Sequence, residues 1–134
     1  MNAYERLLKY VVIRTPSNEE SETTPSSQCQ FDLANVLKKE MEELGICDVT
    51  LTDTCFLYGK IPATPGCENA PAIGFIAHMD TVSDYCDHDI KPMITENYDG
   101  EALALGKSEL VLSPEMFPHL KTLKGRTLIT SDGT

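Results

Sequence analysis

The stretch PAIGFIAHMDTVSD, residues 71–84, decides the fold that we expect for this chain. The run AIGFIAH, residues 72–78, is apolar up to its last residue, and its hydrophobic residues do not alternate with polar ones. Such a run is typical of a strand that is covered on both faces, in the middle of a sheet flanked by helices. The sequence therefore predicts a central strand that ends at His78-Met79-Asp80, with an imidazole and a carboxylate two positions apart.

Two amphipathic helices are predicted before that strand. In residues 2–13 the apolar side chains recur at three- and four-residue steps, and the pattern stops before Pro16. A second helical face covers residues 31–44, and Gly45 stands where a left-handed C-terminal cap belongs. The polar stretch between them, residues 17–30, is expected to form an exposed loop.

Strands are predicted on both sides of the central run. Residues 48–53 alternate apolar and polar side chains and residues 55–61 continue the β character, so a hairpin is predicted there, and residues 103–112 contain strand-like fragments. A short helix is expected to open at Ser113-Pro114 and to end at Gly125, before a last strand in residues 126–131. Because helices alternate with strands, we predict an α/β fold with helices packed on a mixed, largely parallel central sheet.

Composition and charge narrow the class of protein. The 134 residues are 41% hydrophobic and 24% charged, which is ordinary for a globular protein. The formal net charge of −10 repels phosphate backbones and anionic lipids, so we expect neither nucleic acid nor a membrane surface as partner. No apolar run is long enough to span a bilayer, and charged residues interrupt the first ten positions, where a signal peptide would be apolar. The sequence predicts a cytoplasmic location.

The cysteines indicate no disulfide framework. There are five of them, an odd number, and no two are spaced as Cys-x-x-Cys, which also argues against a structural zinc knuckle. We expect reduced, mostly structural thiols at Cys29, Cys47, Cys55, Cys67 and Cys86.

His78 and Asp80 form the strongest candidate site. Residues two apart on a strand point to the same face, and the carboxyl end of a central strand is where open α/β sheets bind ligands. A neutral imidazole can ligate a transition metal while a carboxylate accepts its other ring N–H, so the pair has the composition of half a metal site. Two alternatives stay open. The pair could instead be structural, with Asp80 starting a turn, or it could serve a nucleophile at Ser83, although no Gly-x-Ser-x-Gly elbow is present.

Three further residues are weaker candidates. His88 lies in an acidic, irregular segment and could bind a cation, but such clusters are usually solvated loops. His119 lies in a short apolar helix and is expected to be structural or exposed. Asp132 is expected to be a turn residue.

The strand that ends in His-x-Asp-Thr resembles the first metal-ligand motif of the M20 family of zinc aminopeptidases. The resemblance runs from YERLLKYVVIRT, through PAIGFIAHMDT, to LSPEMFP and TLITSDGT, so that it covers nearly the whole chain. It is strongest to the members that release the N-terminal residue from tripeptides. In this family the catalytic centre holds two zinc ions that activate a water, and the resemblance implies that His78 binds one ion and that the active-site residue Asp80 orients its imidazole.

The resemblance also implies that residues 1–134 are the N-terminal part of a catalytic domain. The other metal ligands, a general-base glutamate and a lid domain that mediates homodimer formation would follow in the rest of a longer protein. We therefore expect this chain alone to bind zinc weakly or not at all and to be inactive. The alternative from another class of function is a non-enzymatic, acidic α/β binding module, in which His78 and Asp80 form a structural pair at the end of a strand.

Overall fold

The computed structural model describes residues 1–84 and 89–133, which divide between two compact units. One unit consists of residues 14–84, and the other combines residues 1–13 with the chain after residue 84. The described elements are two α-helices, one 3-10 helix and six short strands: α1 (Ala3–Tyr10), α2 (Gln30–Glu43), β1 (Cys47–Leu51), β2 (Leu57–Lys60), β3 (Pro92–Thr95), β4 (Leu103–Ala104), β5 (Val111–Leu112), the 3-10 helix (Pro118–Leu123) and β6 (Leu128–Ser131). This mixture confirms the predicted α/β class.

Both predicted helices are present, and local signals explain where they begin and end. The backbone N–H of Asn2 donates to Glu5 Oε2 at 2.6 Å, which closes the first turn of α1 in the manner of a capping box. At the C-terminal end of α2, the N–H of Gly45 donates to the carbonyl of Glu42, and the N–H of Ile46 donates to the carbonyl of Met41. Gly45 has a φ of +77°, so the helix ends in the Schellman motif that the glycine predicted.

The unit of residues 14–84 is built from α2 and the predicted hairpin. Strands β1 and β2 pair antiparallel, with Leu51 opposite Leu57, and α2 packs on both strands. A glycine at position 59 permits this packing, because a Cβ atom there would lie 2.6 Å from Cγ2 of Ile46 and would also collide with Met41. Residues 17–29 form turns and bends without regular structure, as expected.

The other unit contains the remaining strands and the 3-10 helix. Strands β3 and β6 pair antiparallel, as do β4 and β5. Tyr98 is buried, and its backbone groups bond to Arg126 and Gly125. The helix expected from Ser113 begins instead at Pro118, because residues 113–117 form a turn closed by a hydrogen bond from the N–H of Phe117 to the carbonyl of Ser113.

The central strand is where the structure departs from the sequence prediction. Residues 71–80 are not assigned to a strand, and Ile73, Phe75 and Ile76 are exposed. Parallel pairing among the described residues is limited to one bridge between Pro16 and Thr81, and the three sheets are antiparallel pairs. A uniformly apolar strand needs neighbouring strands and a cover on each face, and residues 14–84 provide neither beyond that bridge. The largely parallel central sheet is therefore not formed in this part of the molecule.

No helix within residues 1–84 and 89–133 has both the length and the apolar character required to cross a membrane.

Candidate functional site

The structure brings His78 and Asp80 together, as the sequence predicted. Nδ1 of His78 lies 3.2 Å from Oδ1 of Asp80 and 2.8 Å from the backbone oxygen of the same residue. A backbone carbonyl can only accept a hydrogen bond, so Nδ1 must carry the ring proton. The neutral imidazole then presents the lone pair of Nε2, which is the form that ligates a metal.

The surroundings of the pair differ from the prediction. The two side chains project from an irregular segment and not from the end of a buried strand. The His78 side chain is 84% exposed and that of Asp80 46% exposed. The imidazole contacts the backbone oxygen of Asp80 as well as its carboxylate, and the spacing along a strand did not predict the backbone contact.

The backbone next to the pair is fixed by contacts that sequence reasoning missed. The N–H of Thr81 donates to the carbonyl of Thr15 at 2.9 Å, and the N–H of Ser17 donates to the carbonyl of Thr81 at 2.8 Å. The side chain of Gln30 is buried and donates to the carbonyl of Pro16 and to the Ser26 hydroxyl. Thr15 and Gln30 are buried at the two edges of the loop that was predicted to be exposed, and no local signal in the sequence marks them as buried.

An open cavity of about 720 Å³ lies beside the pair, within residues 14–84. His78 and Asp80 form one part of its wall, and apolar side chains such as Leu37, Phe56 and Phe75 form much of the rest. The site therefore combines a polar pair with an apolar surface.

The thiol of Cys55 also lines this cavity. Burial raises the pKa of the Cys55 thiol, so the thiol rather than the thiolate is present at neutral pH. Because the thiolate is the nucleophile and the metal ligand, Cys55 is poorly suited to either role. Four cysteines are unpaired thiols, as predicted: Cys29, Cys47, Cys55 and Cys67. The fifth, Cys86, lies outside the described residues.

The described residues of this site supply one metal ligand. His78 offers Nε2, and Asp80 holds the imidazole in the tautomer that leaves this nitrogen available. In the described parts of the chain, no three or more His, Cys, Asp or Glu side chains gather in a way that could hold a metal ion. A catalytic zinc usually takes about three protein ligands, so these residues could form only part of such a centre.

The other candidate residues take no part in this site. No hydrogen bond joins Ser83 to His78 among the described residues, so a nucleophilic arrangement is not formed. The His119 ring packs edge-on against Phe117 at 6.4 Å, which agrees with a structural role. Asp132 follows β6 in a bend, and the next residue, Gly133, has a φ of +88°. His88 lies outside the described residues.

Among known proteins, the curated relatives of this chain share one name. No family model matches the chain. The chain is 49% identical over 131 residues to Peptidase T of Desulfitobacterium hafniense, covering 97% of this chain and 32% of that protein. It is 45% identical to Peptidase T of Alkaliphilus oremlandii, covering 99% of this chain and 33% of the relative, and 43% identical to that of Bacillus cereus, covering 97% and 32%. The chain spans about a third of the length of the curated relatives it matches.

Proposed function

Since the chain is homologous to proteins named Peptidase T over nearly its whole length, we propose that it is part of a zinc-dependent aminopeptidase. The proposed reaction of the whole protein is release of the N-terminal residue from tripeptides. Residues 1–134 would supply the N-terminal part of the catalytic domain, on what becomes a mixed, largely parallel sheet in the whole protein. The cytoplasmic location and a homodimer formed through a further domain remain part of this proposal.

The observation that carries the proposal is the geometry of His78. Its Nδ1–H is held by Asp80, and its Nε2 is directed away from that bond with its lone pair available. We assign His78 as a ligand of one zinc ion. We assign Asp80 as the active-site residue that orients the imidazole through the hydrogen bond to Nδ1.

The pair performs only part of the chemistry. The contribution of bound zinc would be to polarise the scissile carbonyl and to lower the pKa of the attacking water. His78 would anchor the ion at a defined position, and Asp80 would prevent the ring from rotating away or from taking the other tautomer. The remaining ligands and the general base are proposed to come from the part of the protein that this chain does not span, so the chain alone should hydrolyse no tripeptide.

The test uses a hybrid enzyme in which this chain replaces the matched region of the Desulfitobacterium hafniense protein. We expect the hybrid to hydrolyse a tripeptide in a zinc-dependent reaction and His78→Ala to abolish that turnover. Asp80→Asn should weaken zinc affinity about 10- to 100-fold, because the Asp80 backbone oxygen still holds the tautomer while the carboxylate is lost. His119→Ala is the matched control and should retain turnover, since His119 packs on Phe117 in the other unit.

Two outcomes would contradict the proposal. The first is full zinc-dependent activity of the His78→Ala hybrid, which would show that the ligand lies elsewhere. The second is zinc-dependent turnover by the isolated chain, which would show that the chain contains a complete centre. If His78→Ala lowers the melting temperature of the isolated chain and leaves the activity of the hybrid unchanged, the structural pair of the non-enzymatic alternative is favoured.

A further inference from the structure

Residues 15–17 hold the chain immediately after the candidate site. The N–H of Thr81 donates to the carbonyl of Thr15 at 2.9 Å. The carbonyl of Thr81 accepts two hydrogen bonds from Ser17, one from its N–H at 2.8 Å and one from its hydroxyl at 3.1 Å. Thr81 is therefore held on both sides, in the position directly after Asp80. We call residues 15–17 the anchor segment.

One peptide group connects the anchor segment to His78. The backbone oxygen of Asp80 and the N–H of Thr81 belong to the same planar trans peptide and point in opposite directions from it. The N–H bonds to the carbonyl of Thr15, and the oxygen lies 2.8 Å from Nδ1 of His78. Because the peptide is planar, fixing the direction of its N–H also fixes the direction of its oxygen. The carbonyl of Thr15 therefore determines where Nδ1 meets its acceptor.

The hydrogen bond to Thr15 also makes the Asp80 oxygen a better acceptor. Hydrogen bonds that are linked through one peptide polarise each other, and they do so more strongly where water is excluded. Thr15 is only 2% exposed, whereas the side chain of His78 is 84% exposed. The exposed imidazole is therefore oriented by a contact whose support lies in the protein interior.

The side chain of Gln30 attaches the anchor segment to the start of α2. Gln30 is 8% exposed, and its Nε2 lies 3.4 Å from the carbonyl of Pro16 and 3.3 Å from the hydroxyl of Ser26. The same hydroxyl accepts the N–H of Asn18 at 3.1 Å. A buried amide is costly unless its polar groups are paired, and pairing of two backbones needs no side-chain donor. The side chains of Ser17 and Gln30 therefore add a support that a strand ladder does not require.

We propose that Ser17 and Gln30 are positioning residues for His78. Ser17 holds the carbonyl of Thr81 directly, and Gln30 acts one step further out, by holding the carbonyl next to Ser17. Together they fix the peptide between Asp80 and Thr81, whose oxygen keeps the imidazole proton on Nδ1 and leaves Nε2 free. The consequence for zinc rests on the proposed function, whereas control of the tautomer is a property of this chain without metal.

The wild-type chain provides the first test. The amides of Ser17 and Thr81 should exchange with solvent at least about 100-fold more slowly than in an unstructured peptide, because paired amides exchange only on opening. Nitrogen NMR at a pH of about 8, where histidine rings are neutral, should place the His78 proton mainly on Nδ1. Exchange at the unstructured rate, or a proton mainly on Nε2, would overturn the proposal without any substitution.

Substitutions show whether the two side chains control the tautomer. Ser17→Ala and Gln30→Leu should each lower the ratio of the Nδ1–H form of His78 to the Nε2–H form about 3- to 10-fold, as expected for loss of one hydrogen bond. Ser17→Thr keeps the hydroxyl and should restore the ratio. A purely structural role would lower the melting temperature but leave the ratio unchanged at temperatures where the chain is folded.

Two matched controls lie in the same loop. Ser21→Ala and Gln28→Leu should leave the ratio unchanged, because the Ser21 hydroxyl bonds to Thr23 and the Gln28 side chain is exposed. Circular dichroism checks that each variant is folded. If one of Ser17→Ala and Gln30→Leu does not fold, the other decides. A wild-type ratio in the folded variants would overturn the proposal.

The hybrid with the Desulfitobacterium hafniense protein separates this proposal from the proposed function. Ser17→Ala should weaken zinc affinity of the hybrid about 3- to 10-fold, since the N–H of Ser17 still donates to Thr81. A hybrid that His78→Ala inactivates, but that binds zinc equally well with Ser17→Ala and with Gln30→Leu, would refute the positioning role and keep the proposed function. A changed tautomer ratio in the chain, together with a hybrid whose zinc binding does not need His78, would refute the proposed function and keep the control of the tautomer.

Discussion

At the scale of single residues, hydrogen bonding determines what His78 can do. The Asp80 backbone oxygen selects the tautomer of the imidazole, and the carboxylate of the same residue lies 3.2 Å from the same nitrogen. One residue therefore provides both the orientation and the negative charge. Because both contacts are local in the sequence, the orientation of the imidazole is set in advance even though the ring is exposed.

Cys55 gives a prediction about pH. Its pKa is raised by burial, so folding favours the neutral thiol. The stabilisation is fully present below the pKa of the unfolded thiol, about 8.5, and is lost as the pH rises from there through the higher pKa of the folded state. Alkylation by iodoacetamide at pH 8, followed by mass spectrometry, should modify Cys55 more slowly than the exposed Cys47 and Cys67. Equal rates at the three thiols would contradict it.

At the scale of elements, the helices and strands that form are those predicted by signals within a few neighbouring residues. Periodicity and the Gly45 cap predict α2, and alternation predicts the hairpin, since in each case the contacts lie within a few residues. The segment after Gly66 behaves differently. Its apolar run predicts a strand, but a central strand obtains its stability from partners distant in the sequence, and the described residues supply only the bridge at Thr81. The spacing of His78 and Asp80 was enough to predict that their side chains meet, but not the contact of the imidazole with the Asp80 backbone oxygen.

Gly59 provides the test at this scale. In Gly59→Ala the new Cβ would press on the stiff side chain of Ile46 and on Met41, so α2 and the hairpin could no longer pack as closely. We expect the isolated chain to lose about 1–3 kcal/mol of unfolding free energy, measured by urea denaturation. Gly74→Ala is the control, because a Cβ there meets no atom within 4 Å. Comparable losses in the two variants would show that close packing at Gly59 is not the cause.

At the scale of the whole molecule, each of the two units has a small core. Among the described residues, the buried apolar ones are few: Leu33, Ala34 and Cys55 in one unit, and Tyr98, Leu105 and Leu120 in the other. Small domains bury a low fraction of their surface and are correspondingly marginal in stability. Ile73, Phe75 and Ile76 add to this, because their large apolar side chains remain in water.

The hydroxyl of Thr81 gives a prediction about the stability of the whole protein. Its hydroxyl oxygen is buried without a partner in the described chain, so Thr81→Val should leave the stability of the isolated chain unchanged or slightly raise it. In the hybrid with the Desulfitobacterium hafniense protein, where we expect the hydroxyl to gain a partner, the same change should cost about 1 kcal/mol. Thermal denaturation of both proteins measures the difference. A loss in the isolated chain equal to that in the hybrid would show that the hydroxyl is already satisfied.

The pairing of β3 with β6 has a consequence for how the chain reaches its native state. Thr95 and Leu128 are joined across a loop of about 30 residues, whereas Leu51 and Leu57 in the first hairpin are separated by only a few. Closing the longer loop costs about 1.5 kcal/mol more in entropic free energy, from the logarithmic dependence on length. Short hairpins form in about 1–10 μs, and non-local pairings are slower. The hairpin of β1 and β2 should therefore form early in folding. Pairing of β3 with β6 should be the rate-limiting step in folding of the other unit.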